Sequence, residues 1–176
     1  MSKKVFLKGT LILACTGLVS RIAGFFYRIF LSHAIGAEGL GLYQLILPLQ
    51  GLMAALSYTG IQSALSRLIA SRLALREKKE AYFSLVTGIF AAVFFSAVTG
   101  FLLFRHADFF ASTILKAPGT SDLLRLTAAS IPLCAIHSCI DSYYYARKKA
   151  SVPAAVQLSE QTVRIGATYI LYLIFL

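Results

Sequence analysis

Charge is what this sequence has least of. Asp, Glu, Lys and Arg make up 14% of the 176 residues, where a soluble domain carries about a quarter. Residues 39–66 and 81–104 contain no charged side chain at all. Each run exceeds the ~20 residues with which an α-helix crosses a hydrocarbon core of about 30 Å. Two such runs in so short a chain exclude a soluble globular domain. Acid is scarcer than base, with seven Asp and Glu against seventeen Lys and Arg, and the first acidic residue is Glu38. The net charge of +10 does not point to nucleic acid, because the basic residues gather at helix ends and no aromatic-basic platform lies in a polar domain. The cysteines number three, Cys15, Cys134 and Cys139, all inside apolar segments. That excludes a disulfide framework and reads as small buried hydrophobes. P-loop, nucleophile-elbow and zincin motifs are missing, so catalysis has no seat, the chain is not expected to be an enzyme, and no cofactor is expected. Cys134, His137, Cys139 and Asp141 are metal-ligand residue types, but the Cys134–Cys139 step does not put both sulfurs on one helical face, so no metal site is expected.

What is present is a series of five apolar segments, at about 5–35, 39–74, 80–105, 122–146 and 152–176. Lys3, Lys4 and Lys8 precede the first, as in a signal peptide. Its apolar stretch is too long for that and lacks a clear cleavage site, so it reads as a retained helix. The first break, Gly36-Ala37-Glu38-Gly39-Leu40-Gly41, is a glycine-rich turn. The second, Arg72 to Glu80, is short and charged. The third, His106 to Ser121, is the longest, with Pro118-Gly119 as a turn and Ser121-Asp122 as a helix start. The fourth holds Arg147-Lys148-Lys149, then Ser151 as an N-cap with Pro153 in the first turn of the next helix. Counting Lys and Arg by side gives eleven on the side of the N-terminus, the second break and the fourth break, against three on the other. The positive-inside rule then places the N-terminus in the cytoplasm. Pro48 and Pro132 fall within segments and are expected to kink them, as packing irregularities or as hinges. The last segment reaches Leu176 without a polar flank, from which a longer protein is expected.

Two charges stand where charge is costly. An Arg at the centre of a membrane helix costs about 2.5–3.5 kcal/mol on insertion scales. Arg21 lies near the middle of the first helix and Arg28 seven residues on. Steps of four, three and four residues put Gly17, Arg21, Gly24 and Arg28 on one face, continued by Thr10 and Ala14, while Ile12, Val19, Phe26 and Ile29 or Phe30 form the other. A small, cationic face of this kind suits a cavity or a tight helix contact rather than lipid. The acids within the apolar segments are Asp141, near Arg147 and Lys148, and Glu160, with Arg164 four residues later in the favourable orientation for a helical ion pair. If those pairs form, Arg21 and Arg28 have no acidic partner here and are candidates for anion binding.

The segment Ser20-Arg21-Ile22-Ala23-Gly24-Phe25-Phe26-Tyr27-Arg28, followed by Ile35-Gly36-Ala37-Glu38-Gly39-Leu40-Gly41-Leu42-Tyr43-Gln44, resembles the opening of the stage V sporulation protein B group. That group is part of the multidrug/oligosaccharidyl-lipid/polysaccharide exporter superfamily, which also includes the MurJ-type lipid II flippases. Gly60 through Ala70, Tyr143 through Ala150, Pro153 and Gln157 through Arg164 extend the likeness in order along the chain. The resemblance implies an all-α, polytopic membrane protein of the bacterial plasma membrane, with two lobes around a central cavity and working by alternating access. The five helices here would be most of the first lobe, partnered by a C-terminal lobe, the lipid bilayer and a lipid-linked saccharide pyrophosphate. By the Ser-Arg-x-x-Gly-Phe match it implies a phosphate-facing role for Arg21, and more loosely for Arg28, whose spacing is one residue longer than in MurJ-type sequences. The alternatives are a cation-coupled multidrug exporter, against which the acid-free first helix counts, and a non-transport assembly protein. The former would draw on Asp141 or on Glu160 and Arg164 for coupling.

Overall fold

The computed structural model describes residues 3–175, with side chains described from Leu11 to Ile174. The side chains of Lys3, Lys4, Lys8 and Thr10, and the whole of Leu176, lie outside the described residues. Among the described residues the regular structure is entirely helical. A helical run begins at Lys3 and continues to Ala54, but Gly36 breaks it with φ 74° and ψ 173°. Only glycine takes that backbone conformation without a steric penalty. The run is therefore two helices, α1 (3–35) and α2 (37–74). Without the break, the apolar stretch Leu11–Ala74 of 64 residues would extend ~96 Å at 1.5 Å per residue, three times the hydrocarbon thickness.

Helix α3 spans Lys78–Arg105, a short α4 spans Ala107–Phe109, α5 spans Ser121–Ala146 and α6 spans Ser151–Phe175. Neither proline interrupts its helix: Pro48 lies inside α2 and Pro132 inside α5. The irregularity in α2 falls instead at Ala55–Thr59, a turn of π-helix. There Ser57 Oγ donates to the Met53 carbonyl at 2.6 Å and Thr59 Oγ1 to the Ala54 carbonyl at 3.1 Å. Hydroxyls thus take up carbonyls that a widened turn leaves short of partners.

The third break is more ordered than its sequence suggests. It contains α4, a π-turn at Phe110–Ile114 and a 3-10 turn at Pro118–Thr120. Ala107 and Ala111 are buried against Leu103 and Leu124, and Arg125 pairs with Asp108 at 2.9 Å and Asp122 at 3.1 Å. Burial of small apolar residues, absent from a polar loop, is what holds these turns helical. Arg76, Lys116 and Lys148 take left-handed φ values of 63°, 52° and 59° just past helix ends. Glycine would adopt them more easily, but a cation there complements the negative end of the helix dipole.

By length and composition, Leu11–Ala74, Lys78–Arg105 and Pro118–Ala146 can cross a membrane. Phe83, Phe90, Phe94 and Phe101 form an exposed stripe down α3, a surface suited to acyl chains and not to water. The chain is an all-α polytopic membrane protein. Helix α6 has the length to cross but is less apolar, because Gln157 to Arg164 is largely polar.

The chain divides into two compact units, one made of residues 1–40 and 148–176, the other of Gly41–Arg147. In the second unit α2, α3 and α5 pack up-and-down. One end of this bundle is closed by Ile46, Leu49 and Met53 of α2 against Leu103 of α3 and Leu124, Ala128 and Ile131 of α5. The other end joins Leu65 and Ile69, Ala81 and Ala92, and Ala135, Cys139 and Ala146. Small residues let the backbones approach closely. Ser142 Oγ reaches the Gln62 carbonyl of α2 at 3.1 Å. A Cβ on Gly100 would stand 2.8 Å from the backbone oxygen of Ala128, whereas the nearest atoms to one on Gly88 belong to the Leu65 side chain.

Those two glycines yield a paired prediction. Gly100→Ala must push α3 from α5 and should cost about 1–3 kcal/mol, while Gly88→Ala is absorbed by rotation of Leu65 and costs clearly less. Thermal unfolding of both variants in detergent checks this; equal losses would contradict the packing described.

Candidate functional site

The first unit is built on α1 and α6, which are far apart in the chain. Tyr27 Oη lies 3.2 Å from Thr168 Oγ1. The Phe30 ring packs on Tyr169 and Tyr172 with centroids at 5.9 and 5.5 Å. A Cβ on Gly24 would stand 3.8 Å from Gln161 Nε2. Contacts climb both helices together, 24 with 161, 27 with 168, 30 with 169 and 172, so α1 and α6 run parallel. Local sequence explains the seam: Gly24 leaves room for the Gln161 amide, and one turn on, Tyr27 and Phe30 supply the aromatic bulk that fills it. Ser20 Oγ is buried without a hydrogen-bond partner one turn before Gly24.

The arginines do not lie in this seam. At ~100° per residue, Arg21 and Arg28 sit roughly 100–120° round α1 from the centre of the contact face. Both are exposed. No ion pair or hydrogen bond engages either guanidinium among the described residues. Gly17 shares their face and would meet nothing with an added Cβ. The face also differs from the rest of the helix, where Leu18, Val19, Ile22, Phe25, Phe26 and Ile29 are exposed and apolar.

Magnitude decides what surrounds these two side chains. Unpaired in hydrocarbon, each would cost about 2.5–3.5 kcal/mol, a large part of the 5–15 kcal/mol that holds a typical domain folded. Among the described residues no salt bridge joins a carboxylate to either arginine. The arrangement is stable when that side of α1 faces water or an anion.

The other expected site residues are placed differently. Asp141 faces His137 across one turn of α5, with its Oδ2 3.9 Å from Nε2. Arg147 does not join it. Six residues on, it projects from another side of the helix, stacks over the Tyr143 ring at 5.3 Å and donates to the Tyr143 hydroxyl at 3.3 Å. Asp141 and His137 belong to the second unit and Arg21, Arg28, Glu160 and Arg164 to the first. Glu160 and Arg164 are both exposed, one turn apart on α6. What sequence reasoning missed is the pattern on α6: Gln157, Gln161, Arg164 and Thr168 repeat the four, three, four spacing of Gly17, Arg21, Gly24 and Arg28.

Comparison with known proteins agrees with this reading of a membrane helix assembly. The family described as polysaccharide biosynthesis protein matches residues 6–176. Stage V sporulation protein B of Bacillus subtilis (strain 168) is 34% identical over 181 residues, covering 100% of this chain and 34% of its own length. Lipid II flippase MurJ of the same organism is 24% identical over 187 residues, covering 99% of this chain and 34% of its own. The chain spans about a third of the length of these curated relatives. No solved structure matches. The chain belongs to the polysaccharide biosynthesis protein family.

The two faces of α1 can be told apart chemically. In a background with Cys15, Cys134 and Cys139 replaced, Arg21→Cys and Arg28→Cys should react with a charged, water-soluble thiol reagent. Phe26→Cys, on the apolar face, should be protected in membranes and react only after detergent is added. Protection of both arginine positions would place that face in lipid and contradict the assignment.

Proposed function

We propose that this chain, as a member of the polysaccharide biosynthesis protein family, supplies one wall of a pathway that moves a lipid-linked saccharide across the bacterial plasma membrane by alternating access. The observation that carries the proposal is the pair Arg21 and Arg28, exposed on one side of an otherwise apolar helix, with no carboxylate paired to either among the described residues. A guanidinium fork matches two phosphate oxygens at once, so the ligand feature it recognises is the phosphate or pyrophosphate joining sugar to lipid. The names of the relatives, one a lipid II flippase and one a stage V sporulation protein, support a cell-envelope precursor as the cargo class, with spore cortex as one instance. The parallel course of α1 and α6 supports a topology in which both enter from the cytoplasm, since three crossings, α2, α3 and α5, lie between them. The mechanism asked of these residues is recognition and neutralisation, not bond breaking: the arginines offset the phosphate charge while it leaves the water of one membrane face for the other. A cation-coupled exporter is the weaker reading. Its best seat is the Asp141 and His137 pair on α5.

The test uses the full product of the reading frame in a strain lacking its own precursor flippase. Arg21→Ala should abolish complementation with membrane levels unchanged by immunoblot. Arg21→Lys should keep only part of it, because a point charge replaces a fork, and Arg28→Ala should fall between. Full complementation by Arg21→Ala would remove the phosphate-recognition reading.

A further inference from the structure

Within the second unit, α2 and α3 leave a groove between them of about 670 Å³, inside the range of roughly 300–1,000 Å³ usual for ligand pockets. Its walls are Ile61, Ala64 and Leu68 of α2 and Phe83, Gly88 and Ala91 of α3. Ala64, Gly88 and Ala91 hollow it, because a larger side chain at any of them would fill the space. The groove ends at Arg72 and Glu80, in the last turn of α2 and the first turn of α3. Each wall runs eleven residues, Ile61 to Arg72 and Glu80 to Ala91, or ~16 Å at 1.5 Å per residue. That is the depth of one leaflet, half of a hydrocarbon core of about 30 Å. A second hollow of about 630 Å³ shares Phe83 and Glu80 with the first and adds Lys78, Lys79, Tyr82 and Val86. Phe83, 68% exposed, is thus a ridge between two troughs that open from one polar mouth. Two chains below one headgroup is the shape of a diacyl lipid.

The charge at the mouth chooses the headgroup. Arg72, Arg76, Lys78 and Lys79 stand there against Glu77 and Glu80. Arg72 Nη1 donates to Glu77 Oε2 at 2.9 Å, with both side chains partly exposed. A guanidinium has five N–H donors, so that pair leaves several to offer. Among the described residues no salt bridge joins Lys78 or Lys79 to a carboxylate. Both lysines lie in the first turn of α3, where the helix dipole favours an anion, and Glu77 at the N-cap makes no capping bond. A phosphate without an amine answers this excess of base, whereas a zwitterionic headgroup would bring a further cation into it.

We propose that α2 and α3 hold one anionic diacyl phospholipid of the phosphatidylglycerol type, with its phosphate at Arg72 and Lys79 and its chains on either side of Phe83. By the positive-inside rule the mouth faces the cytoplasm, where the leaflet carries negative charge. The lipid is a resident of the protein's wall and not its cargo, and the site is independent of the arginines of α1. Bound there, it fills the gap that the side chains of α2 and α3 leave open.

The experiment uses full-length protein carrying Phe83→Trp, with any other tryptophan replaced, in phosphatidylcholine vesicles. These contain a rising fraction of either phosphatidylglycerol or phosphatidylcholine brominated on its chains, and bromine quenches indole fluorescence at contact range. Half-maximal quenching by brominated phosphatidylglycerol should come at about a fifth of the mole fraction that brominated phosphatidylcholine needs, the factor for roughly one cation acting on an anionic lipid. Arg72→Gln with Lys79→Gln should bring the two curves together, and Glu80→Gln should move them further apart. Ala64→Leu with Ala91→Leu fills the first trough and keeps every charge, and should raise the phosphatidylglycerol required by about fivefold. Coincident curves with all charges present, or a preference that survives the loss of both cations, overturn the headgroup assignment. Quenching unchanged by the filled trough overturns the placement of the chains. Absence of quenching by either lipid means that another part of the full-length protein covers Phe83, and overturns the site as a whole. Glycerol 3-phosphate in the water should not relieve the quenching; relief would reassign the mouth to a soluble anion and overturn the lipid. Thermal unfolding at the unaltered temperature shows that each variant keeps its fold.

Discussion

A guanidinium keeps its charge at any pH a cell meets, so in a membrane it must find a counter-ion, reach water or draw water in. That constraint organises the first unit of this protein. Helix α1 could have been a uniformly apolar anchor, since nearly every other side chain along its middle is aliphatic or aromatic. Instead it carries two arginines a heptad apart on one side, with glycine before and between them. Among the described residues no salt bridge joins a carboxylate to either of them. Their stability depends on what lies against that side of α1, which we propose is the phosphate of a lipid-linked ligand.

Within the first unit, α6 keeps that side of α1 where it is. The seam with α6 uses Gly24, Tyr27 and Phe30 against Gln161, Thr168, Tyr169 and Tyr172, fixing the rotation of α1 about its own axis and so the direction in which the arginines project. The α2, α3 and α5 bundle is closed by small residues and by hydroxyls that cap carbonyls, most tightly where Gly100 meets the Ala128 backbone. Such contacts suit a lobe that moves as a body, because close-packed small-residue interfaces have few alternative arrangements. The π-turn at Ala55–Thr59 is the described departure from regular geometry within a long helix, seven residues beyond Pro48. A helix with a relaxed turn and a missing backbone donor has somewhere to bend.

Much of this was legible in the sequence because the signals were of one kind. Runs without charge gave the membrane helices, the glycines after Ile35 gave the first turn, and Arg72 to Glu80 gave the second. The cationic face of α1 followed from counting in steps of four and three. What was not legible depended on partners distant in the chain. Nothing local to α1 says that α6 packs against it, so the placement of Arg164 could not be read from Glu160 four residues before it. The stretch after His106 looked like a loop because its residues are mixed, yet burial of Ala107 and Ala111 under Leu124 holds it in helical turns. Pro48 and Pro132 lie inside their helices, where the sequence placed them.

The most direct test is to see the anion. A cryo-electron microscopy structure of the full-length protein with undecaprenyl pyrophosphate bound should show phosphate density within hydrogen-bond reach, about 3 Å, of the Arg21 guanidinium, on the side of α1 away from Phe26. Arg21 and Arg28 turned into acyl chains, or clasped by carboxylates from elsewhere in the protein with the lipid bound at another place, would contradict the account.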